Sequence, residues 1–234
     1  MMKHLVDSIA ADGFAFASGA EMRNLLGPLA DWTEFAASWD DLGLDTYMAD
    51  GGRYRKRRHA AFGTRANEPI LRKPNQPHYQ SRDYNPLNGG IARWFDAVLP
   101  EIAAGPSMTA ILATCRTVFE QLSSTRDWHI EVHQFRIEAR SGEAGQPTPE
   151  GMHRDGVDYV LVLLAGRRNI ASGVTSIRGT DGRDLGSFTL TAPLDSAWVD
   201  DHRVMHGVTP VEPIDPSVPG FRDVLVVTFR REDA

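Results

Sequence analysis

The sequence predicts a mainly β fold of the α+β kind, a helical N-terminal layer packed on a C-terminal β-barrel. Three observations predict it. The second half is a series of short strand-like segments with turn residues at roughly regular spacing, the pattern of a sandwich or open barrel. Two of those segments, GVTSIRG and GSFTLT, are separated by Asp181-Gly182, a strong hairpin signal. The first half instead spaces its apolar residues at helical intervals.

Residues 3 to 11 read as a short helix stopped at Gly13, and GFAFAS as a short strand. Residues 19 to 38 place Met22, Leu25, Leu26, Leu29, Trp32 and Phe35 at helical spacing, with Gly27-Pro28 kinking or splitting the helix. The stretch 65 to 90 is rich in Pro, Asn, Gly and Gln and reads as irregular loop. Residues 90 to 104 and 107 to 122 read as two more helices, broken around Pro100 and Gly105-Pro106. The period then changes. HIEVHQFRIEA (129 to 139) alternates, and DYVLVLLA (158 to 165) is the unbroken apolar run of a strand buried on both faces. SAWVDD, RVMHGVTPV and FRDVLVVTFRR complete the strands. The expected organisation is one domain over 1 to 234, a mostly helical part (1 to 125) resting on a β core (126 to 234).

A net charge of −6 argues against nucleic acid as the main partner, because phosphate binding needs a concentrated basic surface. The one basic run, Arg53 to Arg58 (RYRKRR), is either a solvated strand or loop edge or part of a site for a small anion. The single cysteine, Cys115, allows no intrachain disulfide and sits in a helical apolar pattern as a core residue. MMKHLVDSIAADGF lacks the apolar stretch of a signal peptide, and no run approaches the length of a membrane span. The expectation is a cytoplasmic protein with no membrane attachment.

The chemistry concentrates in PTPEGMHRDG (147 to 156). In an extended strand, residues two apart share a face, so His153 and Asp155 can converge while Arg154 turns away. Gly151 and Gly156 flank them and permit a tight bend. A third ligand is needed, because an H-x-D pair alone arises often by chance. His206, at the start of a β-rich stretch and followed by glycine, is the better candidate; His202, among turn-like acidic neighbours, is its rival. Two histidines and a carboxylate form a facial triad, which leaves three positions of an octahedral Fe(II) for co-substrate and oxygen. Many such enzymes use 2-oxoglutarate, whose far carboxylate suits the forked guanidinium of an arginine. Arg222 opens the strand FRDVLVVTFRR on the face of Val224, Val226 and Thr228, where it would be costly without an anion to meet. The alternative partner for Arg222 is Asp223 or a surface carboxylate.

PTPEGMHRDGVDYV, RRNIASGVTSI, DDHRVMHG and FRDVLVVTF resemble the small bacterial 2-oxoglutarate- and Fe(II)-dependent dioxygenases that include the L-isoleucine hydroxylases and the BsmA biofilm-stress proteins. The resemblance is strong over about 125 to 230 and looser before. It implies a double-stranded β-helix, the jelly-roll or cupin-like barrel, with iron at His153, Asp155 and His206 and 2-oxoglutarate held by Arg222. It also implies hydroxylation of a small substrate, a free aliphatic L-amino acid, by O2. Two departures stand out: Ala171, Ser172 and Gly173 where the family shows paired glycines, and Val224 where broader relatives place serine. Retention of Asp155 argues against halogenation, which needs that place for chloride. An amino acid needs a cation and an acceptor, and Gln134 and Arg136, sharing one face of their strand, are expected to point into the barrel. Arg57 or Arg58, beside His59, could supply a further anion contact. Trp128 and Phe135 read as core. Two other classes remain: a zinc hydrolase on the same scaffold, for which this ligand set fits less well, and a non-catalytic stress or biofilm protein with a vestigial site.

Overall fold

A computed structural model describes residues 1 to 232. The first half supplies helices α1 (Met2–Asp12), α2 (Gly19–Leu26), α3 (Trp32–Ala37), α4 (Pro100–Ala103) and α5 (Pro106–Leu122). It also supplies strands β1 (Phe14–Ala17), β2 (Arg55–Thr64) and β3 (Leu71–Arg72). The second half supplies β4 (Trp128–Ala139), β5 (Tyr159–Arg168), β6 (Ile170–Ser172), β7 (Val174–Gly179), β8 (Asp184–Thr189), β9 (Ser196–Asp200), β10 (Val204–Val208), β11 (Val211–Pro213) and β12 (Gly220–Arg231). Among the described residues no helix is long and apolar enough to cross a membrane.

A seven-stranded sheet runs β1-β9-β5-β12-β4-β2-β3, facing a smaller one of order β10-β7-β8, with a β11-β6 ribbon beside them. Every strand pair is antiparallel. This is the jelly-roll double-stranded β-helix that the resemblance implied. The β7-β8 hairpin turns at Asp181-Gly182 as expected, with Gly182 at φ 84°.

Side-chain parity sorts the large sheet into two faces. Trp128, Ile130 and Val132 of β4, Leu161 and Leu163 of β5, and Leu225, Val227 and Phe229 of β12 meet Phe35, Met108, Ile111, Cys115 and Phe119 from the helices. Each fully buried Phe in that layer stabilises the fold by about 1.5–3 kcal/mol. Cys115 is an inert part of this core, its thiol pushed up by burial. The other parity, Arg222, Val224, Val226 and Thr228 on β12 and Glu131, His133, Phe135 and Ile137 on β4, faces the space between the sheets.

The N-terminal half is less helical than its apolar spacing predicts. RYRKRR opens β2, which pairs with β4 from Arg55↔Ile137 to Thr64↔Trp128. Lys56 and Arg58 turn to Glu138 and Asp41, while Arg55 and Arg57 turn inward. The expected helix over 90 to 104 is confined to α4; Arg93 and Ala97 instead make single bridges to His78 and His59. Backbone pairing to the sheet outweighs the local apolar spacing there.

Candidate active site

His153 and His206 are joined through the backbone, each N–H donating to the other's carbonyl at 2.9 Å. Their rings lie 4.5 Å apart, tilted by 52°. His153 Nδ1–H donates to the Gly151 carbonyl at 3.0 Å, which turns the Nε2 lone pair inward. That Nε2 lies 3.7 Å from Asp155 Oδ1, and His206 Nε2 lies 3.6 Å from Asp155 Oδ2. One ligand atom from each of the three falls within 4.8 Å of the others.

Asp155 is placed by Asp201, which the sequence reading passed over as a turn residue. The buried Asp201 carboxylate accepts the backbone N–H groups of Asp155 (2.9 Å), Gly156 (2.7 Å) and Val157 (3.1 Å). Gln80 donates to the Asp155 carbonyl at 3.0 Å. Gly156 is required where it stands: its φ is 79°, and a Cβ there would lie 2.5 Å from the Tyr84 ring.

The electrostatics suit a cation. Burial disfavours the imidazolium of His153, but Asp155 and Glu150 outweigh it and raise its pKa above the usual value. Burial, with His153 beside it, pulls His206 down to about 3. Burial raises the Asp155 carboxyl against the pull of His153. His206 Nδ1 has no hydrogen-bond partner among the described residues. Buried, mutually uncomfortable groups converging on one point are the donor set that a divalent ion relieves, so the three residues fit one.

Arg222 is 2% exposed, and its Nε and Nη2 have no hydrogen-bond partner among the described residues. The expected alternative is excluded, because the Asp223 carboxylate binds Arg136 instead. Burial, then repulsion from Arg167, lowers the Arg222 pKa to about 10. A buried guanidinium with idle donors, lining a cavity of about 330 Å³ shared with the triad, has the chemistry to receive an anion. Beside it Ser172 and Gly173 both take positive φ, 64° and 76°. Glycine adopts that backbone without strain; at position 172 a serine bears it.

Other expectations change. Gln134 and Arg136 do not line the cavity. They occupy the opposite parity of β4, where Gln134 donates to Ser38 Oγ at 2.7 Å and Arg136 binds Asp223 and Asp40. Phe135, expected in the core, lines the cavity, while Trp128 is core. The rival ligand His202 is largely exposed and binds Asp158 at 3.0 Å, away from the triad. Arg57 does line the cavity, its guanidinium 3.7 Å from the Phe95 ring centroid and 4.4 Å from that of Phe135.

A polar cluster deeper in the cavity went unforeseen. Glu131 Oε2 faces His78 Nδ1 at 2.5 Å, His133 Nε2 at 3.5 Å and His59 Nε2 at 3.7 Å, and Oε1 faces His129 Nε2 at 3.3 Å. Arg57 Nη2 lies 2.6 Å from His133 Nδ1. Guanidinium has donors only, so Nδ1 accepts and His133 carries its proton on Nε2, toward Glu131. The spacing of His129, Glu131 and His133 in HIEVH signals a shared polar face; His59 and His78 arrive from segments whose approach no local pattern reveals.

A jelly roll with two imidazoles and one carboxylate at one point between its sheets, and an idle buried guanidinium in the same cavity, defines the class of non-haem iron oxygenases that use a 2-oxo acid. The chain belongs to the 2OG-Fe dioxygenase family, whose model matches residues 36–228. It is 36% identical to a solved BsmA homologue from Methylobium petroleophilum PM1, covering 98% of this chain and 93% of that one with a TM-score of 0.91. It is 25% identical to 3(1)-hydroxy-L-isoleucine 4-dioxygenase of Pantoea ananatis, over 99% of this chain and 97% of that protein. It is 28% identical to L-isoleucine-4-hydroxylase of Bacillus thuringiensis, over 80% of each. The cofactors are therefore Fe(II) and 2-oxoglutarate.

Proposed function

We propose that the protein hydroxylates a free aliphatic L-amino acid, with His153, Asp155 and His206 holding the iron and Arg222 the far carboxylate of 2-oxoglutarate. The observation that carries this reading is the buried Arg222 with two idle donors in the cavity of the triad. When bound, iron and 2-oxoglutarate supply an oxidation in which the 2-oxo acid and O2 become succinate and CO2 while one oxygen atom enters a C–H bond.

The protein's own residues bind, orient and exclude water. Asp201 fixes the loop that carries Asp155, and the His153–Gly151 hydrogen bond selects the tautomer that leaves Nε2 free. Ile137, Val162, Val224 and Val226 give the cavity an apolar lining suited to an aliphatic side chain. Arg57, inward and buried, is a contact for the substrate's carboxylate. Support for the substrate class comes from two relatives whose names specify isoleucine chemistry at carbon 4.

The test is anaerobic loading with Fe(II) and 2-oxoglutarate, then oxygen and a panel of L-amino acids, read by mass spectrometry. A gain of one oxygen on an aliphatic member with matching succinate supports the reading. Succinate formation that no member stimulates, and no oxidised product, overturns it.

A further inference from the structure

We infer that Glu131 and Arg57 are a paired receptor for a zwitterion, Glu131 taking the α-ammonium and Arg57 the α-carboxylate of the substrate. The inference rests on the amino-acid reading above and adds the residue that would read the ammonium group.

Charge is the first argument. Arg55, Arg57 and Arg93 are all buried and line the cavity, and the buried carboxylate in contact with Arg55 and Arg57 is Asp45. Asp45 is engaged mainly by Arg55, at 2.7 Å, against 3.6 Å from Arg57. The Nε atoms of Arg57 and Arg93 have no hydrogen-bond partner among the described residues. These arginines carry a surplus of positive charge and idle donors, the requirement for an anion. Glu131 presents the converse. Burial opposes its ionisation, yet the surrounding imidazoles hold its carboxyl far below the usual range, so it is an anion. Its close polar partners among the described residues are imidazoles. Of these, burial lowers His78 to about 4 and pushes His133 well down, so neither is a cation at neutral pH. The half-buried carboxylate has no guanidinium or ammonium in direct contact among the described residues, its nearest cation, Arg57, lying beyond His133.

Geometry is the second argument. Arg57 and Phe135 are paired across β2 and β4, and His133 and His59 form the next inward-facing pair along the same strands. His133 joins the two charges, accepting from Arg57 and presenting its Nε2–H to Glu131. A fixed cation and a fixed anion one imidazole apart suit a ligand that carries both charges. The flanking rings of Phe95 and Phe135 hold the Arg57 guanidinium in place.

A metal is the competing occupant, since His59, His78, Glu131 and His133 offer ligand atoms within 4.8 Å of one another. The Arg57–His133 bond takes His133 out of that set, leaving His59, His78 and Glu131 as the ligands a metal would have to use. With Nδ1 accepting from a guanidinium, Nε2 bears the proton and has no lone pair for an ion. An ammonium needs only the acceptor that Glu131 already provides.

The experiment uses enzyme loaded anaerobically with Fe(II) and 2-oxoglutarate, titrated calorimetrically with L-isoleucine, 3-methylpentanoate (no ammonium) and L-isoleucinamide (no carboxylate). Both analogues should bind roughly 10- to 100-fold more weakly than L-isoleucine, the loss expected for one charged hydrogen-bonded contact. Glu131→Gln should abolish the preference over 3-methylpentanoate and keep that over the amide; Arg57→Gln should do the reverse. Glu131→Asp should restore part of the first preference. Analogues that bind wild-type enzyme as tightly as L-isoleucine, with L-isoleucine still oxidised, overturn this inference alone, whatever the variants do. Intact 2-oxoglutarate binding with no amino acid bound overturns it together with the amino-acid reading. A second equivalent of Zn(II), bound by wild type and lost in Glu131→Gln, overturns it in favour of a metal.

Discussion

Asp155 and Asp201 are related as ligand and clamp: the Asp201 carboxylate accepts the Asp155 backbone N–H at 2.9 Å and the next two N–H groups as well. Backbone pairing of His153 with His206 fixes two corners of the proposed iron site, and this clamp fixes the third. Asp201→Asn leaves one good acceptor where three donors converge and sets an NH2 group against backbone N–H. The expected result is a roughly 10- to 100-fold loss of Mn(II) affinity in an otherwise native fold. Manganese titration followed by electron spin resonance, with circular dichroism as control, measures both; unchanged affinity would refute the clamp.

Metal affinity should depend on pH in a definite direction. The metal-free His153 holds its proton to higher pH than an ordinary imidazole because Asp155 and Glu150 face it. A metal must displace that proton. Below the raised pKa the proton competes; above it the lone pair is free. Affinity therefore rises with pH through neutrality, with proton release on binding. Calorimetry in two buffers of different ionisation enthalpy reads the proton directly, and a flat affinity between about pH 6 and pH 8 would contradict the assignment.

Arg222→Met separates binding from folding. Its guanidinium is buried with idle donors, a state that costs stability until an anion arrives. The variant should lose 2-oxoglutarate affinity by about 100-fold, the loss of a bidentate charged contact. Its melting temperature without ligand should equal or exceed that of wild type. Wild type alone should gain thermal stability from 2-oxoglutarate. Thermal scans with and without the co-substrate, with iron replaced by Mn(II), check all three; a variant that melts much lower would mean Arg222 is a structural residue.

The sequence made the C-terminal barrel legible because its strands alternate or run apolar and its hairpin carries Asp181-Gly182. The candidate triad was legible for the same reason: His153 and Asp155 are local, and His206 lies within the strand β10. Three features were not. β2 hides in RYRKRR because its inward arginines have the chemistry of a surface, and their burial is explained only by the cavity they line. Glu131 gains its meaning from His59 and His78, which come from elsewhere in the chain. Parity on β4 was misjudged because both faces are polar around 131 to 136, so alternation alone does not say which face is inside.

That misjudged parity gives the last prediction. Arg136 lies on the helix-facing side of β4, with Nε and Nη2 each 2.7 Å from one oxygen of Asp223. Asp223 is buried, and burial raises its carboxyl pKa even against the pull of Arg136. Arg136→Met therefore strands a buried carboxylate. Breaking such a pair costs about 3–5 kcal/mol when fully buried, and about 2–3 kcal/mol here because Arg136 also reaches exposed Asp40 at the surface. Replacing both partners, Arg136→Met with Asp223→Leu, removes the stranded charge and should recover most of that loss. The KM for the amino acid should stay within about twofold in both variants, because neither side chain touches the cavity. Urea denaturation and steady-state kinetics give the two numbers. A KM raised tenfold or more at unchanged stability would place Arg136 inside the barrel after all.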